Sequence, residues 1–312
     1  MKRLLAALGF LMVFGAEAET WRFALIGDTP YSDYERRMLP LMLGDIAEEH
    51  PAFIVHAGDF KHGSARCGDA LFLDRKALFD ASTVPLVYVP GDNEWTDCSR
   101  VSAGGFEPLE RLQKLRELFF ADDFSLGKSR LRVEHQPGAY REHLSWRLGP
   151  VRFVTLNVPG DNNNHGSGSA PGGEFLARNP VVIDWLKQGF ASARREKSAG
   201  IVIVMQANPG FQHFTAGLAH SGFREFLETL RQETLDFPGQ VLLVHGDTHR
   251  QHIDQPLRHA DNKRPLANFT RVETFGYPFM GWIKATIDSE ADGNSSGLFR
   301  FEVHAYPPPS AN

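Results

Sequence analysis

Four apolar runs in this sequence end in the same dipeptide. Ala24-Leu25-Ile26 leads into Gly27-Asp28, and Ile54-Val55-His56-Ala57 into Gly58-Asp59. Val87-Tyr88-Val89-Pro90 leads into Gly91-Asp92, and Leu242-Leu243-Val244-His245 into Gly246-Asp247. Glycine lets a chain turn sharply as it leaves a strand, which sets each aspartate on the loop just past the strand's carboxyl end. In a parallel sheet those ends face one crevice, where open α/β sheets bind ligands. Four carboxylates converging there repel one another at a partly desolvated site, so they either take up protons or bind cations. Divalent metal is the expected answer; oxygen-rich ligand sets with a few nitrogens suit Mg, Mn, Fe or Zn. A lone Gly-Asp is ordinarily a turn or helix cap. The fifth copy, Gly160-Asp161, is read that way because it adjoins a Gly-, Asn- and Ser-rich loop over 159–173.

The elements that must position these aspartates follow from periodicity. Apolar runs at 21–26, 53–56 and 85–89 precede helical patterns at 34–49, 70–80 and 108–120. Strand then helix, repeated, argues for parallel β-α-β units. Further on, 147–158 reads as a strand, 184–195 as a helix, 201–205 as a buried strand, 222–231 as a helix and 241–244 as another buried strand. The late runs at 269–275, 282–287 and 297–304 alternate as antiparallel strands do. With no linker and no repeat of solenoid period, one α/β domain over 19–312 is expected.

The first eighteen residues read as an export signal. Met1-Lys2-Arg3 is basic, the next stretch is apolar, and Ala16-Glu17-Ala18 has the small-x-small form of a cleavage site. The apolar stretch falls well short of the ~20 residues that span a bilayer. A periplasmic or extracellular protein with no membrane span after cleavage is therefore expected. The net charge of -5 comes without basic blocks, so nothing points to nucleic acid. The only two cysteines, Cys67 and Cys98, read as a disulfide in an oxidising compartment; their spacing is not that of a C-x-x-C metal site.

The order Gly-Asp, Gly-Asp, Gly91-Asp92-Asn93-Glu94 and Gly246-Asp247-Thr248-His249 resembles the calcineurin-like metallophosphoesterases, which include the purple acid phosphatases. The resemblance runs from about Phe23 to about His252. It implies a four-layer αββα sandwich of two packed mixed sheets, with a two-metal centre at the strand ends. Position by position, the family's opening Asp-x-His becomes Asp28-Thr29-Pro30, and its bridging aspartate matches Asp59. Asp92 stands for the asparagine ligand and Asn93 for the catalytic histidine. The later histidine before proline has no counterpart in 205–209, where Gln206 or Asn208 offers an amide oxygen. Of the closing Gly-His-x-His only the second histidine, His249, is kept. The implied ligand sets are Asp28, Asp59 and His249 for one ion. For the other they are Asp59, Asp92 and Asp247 with Gln206 or Asn208. Carboxylates in place of imidazoles favour Mg or Mn over Zn or Fe.

The activity implied is in-line attack on the phosphorus of a small-molecule phosphate ester by a metal-held hydroxide. Asn93 cannot donate a proton as an imidazolium does, so aryl phosphates and phosphoanhydrides, whose leaving groups depart readily, are the expected substrates. His62 is either a solvated loop residue or the missing acid, and His252 either reaches the site or does not. His56 and His245 read as buried structural partners, and Tyr31 and Trp95 either wall a pocket or pack. The competing reading is a degenerate relative that keeps the sheets and serves as a binding protein.

Overall fold

The computed structural model describes residues 19–166, 170–218, 221–288 and 297–306; the expected export signal at 1–18 lies outside the described residues. Three strand-helix units come first: β1 (Thr20–Ile26), α1 (Asp33–Glu48), β2 (Ile54–His56), α2 (Asp69–Asp80), β3 (Leu86–Tyr88) and α3 (Pro108–Phe119). Ser32 caps α1 by accepting the Glu35 amide, and Pro108 opens α3 with its fixed φ. Then follow β4 (Glu134–His135), β5 (Leu144–Leu148), β6 (Val151–Thr155), the single turn α4 (Gly160–Asn163) and α5 (Gly173–Arg195). The chain continues through β7 (Gly200–Val204), α6 (Phe211–Thr215), α7 (Ser221–Asp236), β8 (Gln240–His245), β9 (His252–Asp254), β10 (Phe269–Glu273), β11 (Gly281–Asp288) and β12 (Phe299–Ala305).

These strands make a five-stranded sheet, β12-β11-β1-β2-β3, and a seven-stranded one, β4-β5-β6-β7-β8-β10-β9. Period-two alternation decides the layering. On β7 and β8, Val202, Val204, Leu242 and Val244 belong to the core shared with the first sheet. Ile201, Ile203, Val241 and Leu243 face the other way, onto Val182, Leu186 and Phe190 of α5 and Phe226, Leu227 and Leu230 of α7. Between the sheets Phe23 and Phe53 meet Phe153 edge-on with centroids 5.1 Å apart, and Trp146 stacks on Phe153 at 5.2 Å. Each buried ring contributes about 2–3 kcal/mol through burial alone, which fixes the sheets face to face. Helices α2 and α3 pack on the first sheet through Phe79 against His56 and Phe119 against Tyr88, and Leu39, Met42 and Ile46 of α1 join the same core. The result is the expected sandwich of two packed mixed sheets between helices.

Three expectations are corrected. The 147–158 run is a hairpin, β5 and β6, paired antiparallel from Leu148↔Val151 and turned through Gly149 in the left-handed region at φ 52. Helix α5 starts at Gly173 rather than 184 and runs through Pro180. Strand β10 is parallel to β8 and antiparallel only to β9, because alternation reveals a buried face but not a neighbour's direction. Short β4 and β9 carry too few residues to show a pattern.

Candidate active site

Strands β1, β2 and β3 run parallel in one sheet, and β6, β7, β8 and β10 in the other. Their carboxyl ends meet at one rim, so the four aspartates come from both sheets rather than from one. The Asp247 amide donates to both Asp28 oxygens at 3.1 Å, joining the end of β8 to the end of β1. From β7, the Gln206 Nε2 reaches Asp59 Oδ2 at 3.2 Å, and its Oε1 accepts the Gly160 amide at 2.6 Å. Asn208 joins through its backbone, whose N–H donates to Asp247 Oδ2 at 2.8 Å; its side-chain oxygen accepts from Gly210 at 3.1 Å.

Glycines make this approach possible. A Cβ on Gly91 would lie 2.0 Å from Asp59 Oδ1, and one on Gly246 would lie 2.1 Å from Asp28 Oδ2. Asp28, Asp59, Asp247 and His249 themselves sit at φ 48, 58, 81 and 60, a region few side chains adopt and one found where function holds the backbone.

The electrostatics are those of crowded buried acids. Asp28 and Asp59 are buried. Burial, followed by the charges of Asp92, Glu94, Asp28 and Asp247, pushes the Asp59 carboxyl well above its usual range. Burial and then Asp247 do the same to Asp92, whose buried Oδ1 has no hydrogen-bond partner. Asp247 is pushed up to about 7 by burial and then by Asp28 and Glu273. Glu94, which accepts the amides of Phe60 and Gly91, also rises to about 7, mainly through burial.

Asn93 is buried beside Asp59, to which it donates from its amide N–H (3.2 Å) and its side chain (2.9 Å). The same Nδ2 lies 2.8 Å from the Tyr31 hydroxyl and 3.0 Å from Lys61 O. Tyr31 lines the site, donating to Asp59 Oδ2 at 3.0 Å. Trp95 does not: it is buried with the Arg178 guanidinium 5.5 Å from its ring centroid, so packing is its use. His249 Nε2 stands 3.6 Å from Asp28 Oδ1, and its Nδ1 lies 2.6 Å from Tyr277 O. His62 is exposed at the rim with its ring 5.6 Å from that of Tyr31. His252 turns toward Glu273 and Asp254 instead. His56 and His245 are buried, bonded to Thr29 O at 2.7 Å and Gly246 O at 2.8 Å, as expected.

Two residues escaped sequence reasoning. Lys61 is wholly buried beside the acids, its pKa lowered mainly by burial; its signal was only its place two residues past Asp59. Glu273, at the end of β10, accepts from the Thr248 hydroxyl and the Arg250 amide, and no glycine marks it. Cys67 and Cys98 form a disulfide, and both sulfurs lie against Asn93 O.

Whether these residues suit metal ions rests on their donors. Among the described residues no three His, Cys, Asp or Glu side chains already stand together as a ligand group. Amide N–H groups face both Asp28 and Asp59, joined by the Tyr31 hydroxyl at Asp59 and by the His249 ring at Asp28. The donor chemistry nevertheless fits: hard oxygens from four carboxylates, one imidazole, an orphaned Asp92 oxygen and a glycine cradle that lets them approach.

Comparison with known proteins places this rim in context. The profile of the calcineurin-like phosphoesterases matches residues 22–251. No curated protein matches the chain by sequence. Among solved structures, PhoD aligns with a TM-score of 0.54 at 13% identity over 92% of this chain and 69% of its own. Purple acid phosphatase PPD1 from yellow lupin (Lupinus luteus) seeds gives 0.52 at 15% over 86%, and the chain spans 50% of its length. A dimetal phosphatase from Danio rerio gives 0.50 at 14% over 92% of this chain and 99% of that one. At such identity the structures speak for the fold, while the profile covers most of the chain. The chain belongs to the calcineurin-like phosphoesterase family, whose members imply a dimetal centre and phosphoesterase chemistry.

Proposed function

We propose that the chain is an exported, single-domain, metal-dependent phosphoesterase that hydrolyses small-molecule phosphate esters. The observation that carries this reading is the meeting of Asp28, Asp59, Asp92 and Asp247 at one rim, all raised by burial and the last three also by neighbouring acids. Asp28, Asp59 and His249 would hold one ion; Asp59, Asp92 and Asp247, with Gln206 nearer than the side chain of Asn208, would hold the other. Mg or Mn suits this oxygen set better than Fe or Zn. When bound, the ions supply charge neutralisation and water activation. The protein's own groups position: Asn93 and Tyr31 fix Asp59, and Tyr277 O orients His249 through its Nδ1. With an amide at Asn93, protonation of the leaving group falls to His62 at the rim or is not needed. Export draws on the basic-apolar-small pattern of 1–18 and on the Cys67–Cys98 disulfide. No helix among the described residues is long and apolar enough to cross a membrane.

A second reading, a non-catalytic binding protein on this fold, draws on the amide donors that already engage Asp59. Hydrolysis of aryl phosphates assayed with Mg, Mn, Fe and Zn separates the two. The phosphoesterase reading expects turnover with Mg or Mn and a loss on the order of 10⁴-fold in Asp59→Asn; background rates under every metal would favour the binding protein.

A further inference from the structure

A cavity of about 860 Å³ opens beside the acidic rim and shares Asn208 and Thr248 with it. That size lies within the range of small-molecule sites. Its character is opposite to that of the rim. Arg250, Arg258 and Arg271 line it against a single carboxylate, Asp254. Asp254 is taken by Arg271, which grips it with Nε at 2.6 Å and Nη2 at 2.7 Å. Among the described residues, neither the Arg250 nor the Arg258 guanidinium has a carboxylate in ion-pair range, although Arg258 Nη1 donates to Lys263 O at 2.9 Å and keeps its other N–H groups for a ligand. Glu273 lies behind the wall, bonded to the Thr248 hydroxyl and the Arg250 amide. Two uncompensated guanidiniums next to a carboxylate-lined site describe a place for an anion other than the one being hydrolysed, since guanidinium forks match phosphate oxygens.

We propose that this cavity binds a phosphate on the leaving group, so that the substrates are phosphoanhydrides such as nucleoside diphosphates; this rests on the phosphoesterase reading above. In hydrolysis the water oxygen bonds to the terminal phosphorus while the bridging P–O bond breaks. The bridging oxygen keeps the electron pair and leaves as a phosphate anion, and the water's proton passes to solvent. Such a leaving group needs no proton, in keeping with an asparagine at position 93, and Arg250 and Arg258 hold the anion as it departs.

The test compares ADP, fructose 1,6-bisphosphate and 4-nitrophenyl phosphate, with Mg or Mn, on wild type and the surface variant R250Q/R258Q. The expected result is a kcat/KM for ADP lowered about tenfold or more, with the aryl phosphate changed less than twofold. Equal losses on ADP and the aryl phosphate would overturn the proposal, as would a sugar bisphosphate preferred over ADP by wild type. If none of the three is hydrolysed, the phosphoesterase reading fails separately. Calorimetric binding of inorganic pyrophosphate then decides the cavity: tenfold weaker binding in the double variant supports it, and unchanged binding refutes it.

Discussion

Asp92 follows β3 with a buried oxygen that bonds to nothing, among the charges of Asp247, Asp97 and Glu94 and with Lys61 as a neighbouring cation. A charge so placed costs stability until a cation arrives. Asp92→Asn should therefore raise the melting temperature of the metal-free protein by about 2–4 °C while reducing activity. A lower metal-free melting temperature in a thermal scan would contradict this. Buried histidines contribute to the acid limit, His143 among them with His56 and His245. His143 is buried against Gln136, and burial lowers its pKa to about 4 from the usual 6.5. The unfolded chain takes up that proton first, so this contribution is present above pH 6.5 and is lost as the pH falls toward 4. The amount is on the order of 3 kcal/mol. Denaturant titrations of His143→Gln across that window should show a slope of stability against pH shallower by up to one proton than in wild type; parallel slopes would refute the assignment.

At the scale of elements, each site loop is a strand, a glycine and an aspartate, and the glycine is a steric requirement. Gly91→Ala would drive a Cβ into Asp59 and should cut activity at least about a hundredfold without unfolding the sheet. Gly44→Ala, on the exposed side of α1 with nothing within 4 Å, should instead stabilise by about 1 kcal/mol and leave activity alone. Activity assays with thermal melts read both, and similar effects from the two would undo the steric argument. Such loops were legible because glycine and aspartate after a β-branched run have few other uses together. Helix α5 was half legible: Pro180 reads as a breaker, yet the helix passes through it while Arg178 bonds Asn157 O and Asn163 from the same turn. The turn at residues 161–164, left-handed at four consecutive positions, was anticipated as a turn but not in its hand; Asp and Asn are the non-glycine residues that tolerate it.

For the molecule as a whole, the sequence pattern implied two sheets only through resemblance. Local periodicity says which face of β7 or β8 is apolar, not that β8 lies across the rim from β1, so the division of the aspartates between sheets had to come from the structure. Lys61 and Glu273 were hidden for the same reason, since their roles depend on which loops meet. The aromatic joint of Phe23, Phe53, Trp146 and Phe153 holds the two sheets in register and thereby holds Asp28 against the Asp247 amide. The fold thus confines like charges from two separate layers, and on the proposed reading a bound cation makes that confinement favourable. Calorimetric titration of chelator-stripped protein with Mn²⁺ measures this directly. The account predicts saturable binding of two ions per chain, lost or sharply weakened in Asp59→Asn. Heats no greater than dilution in wild type, or binding indifferent to Asp59, would contradict it.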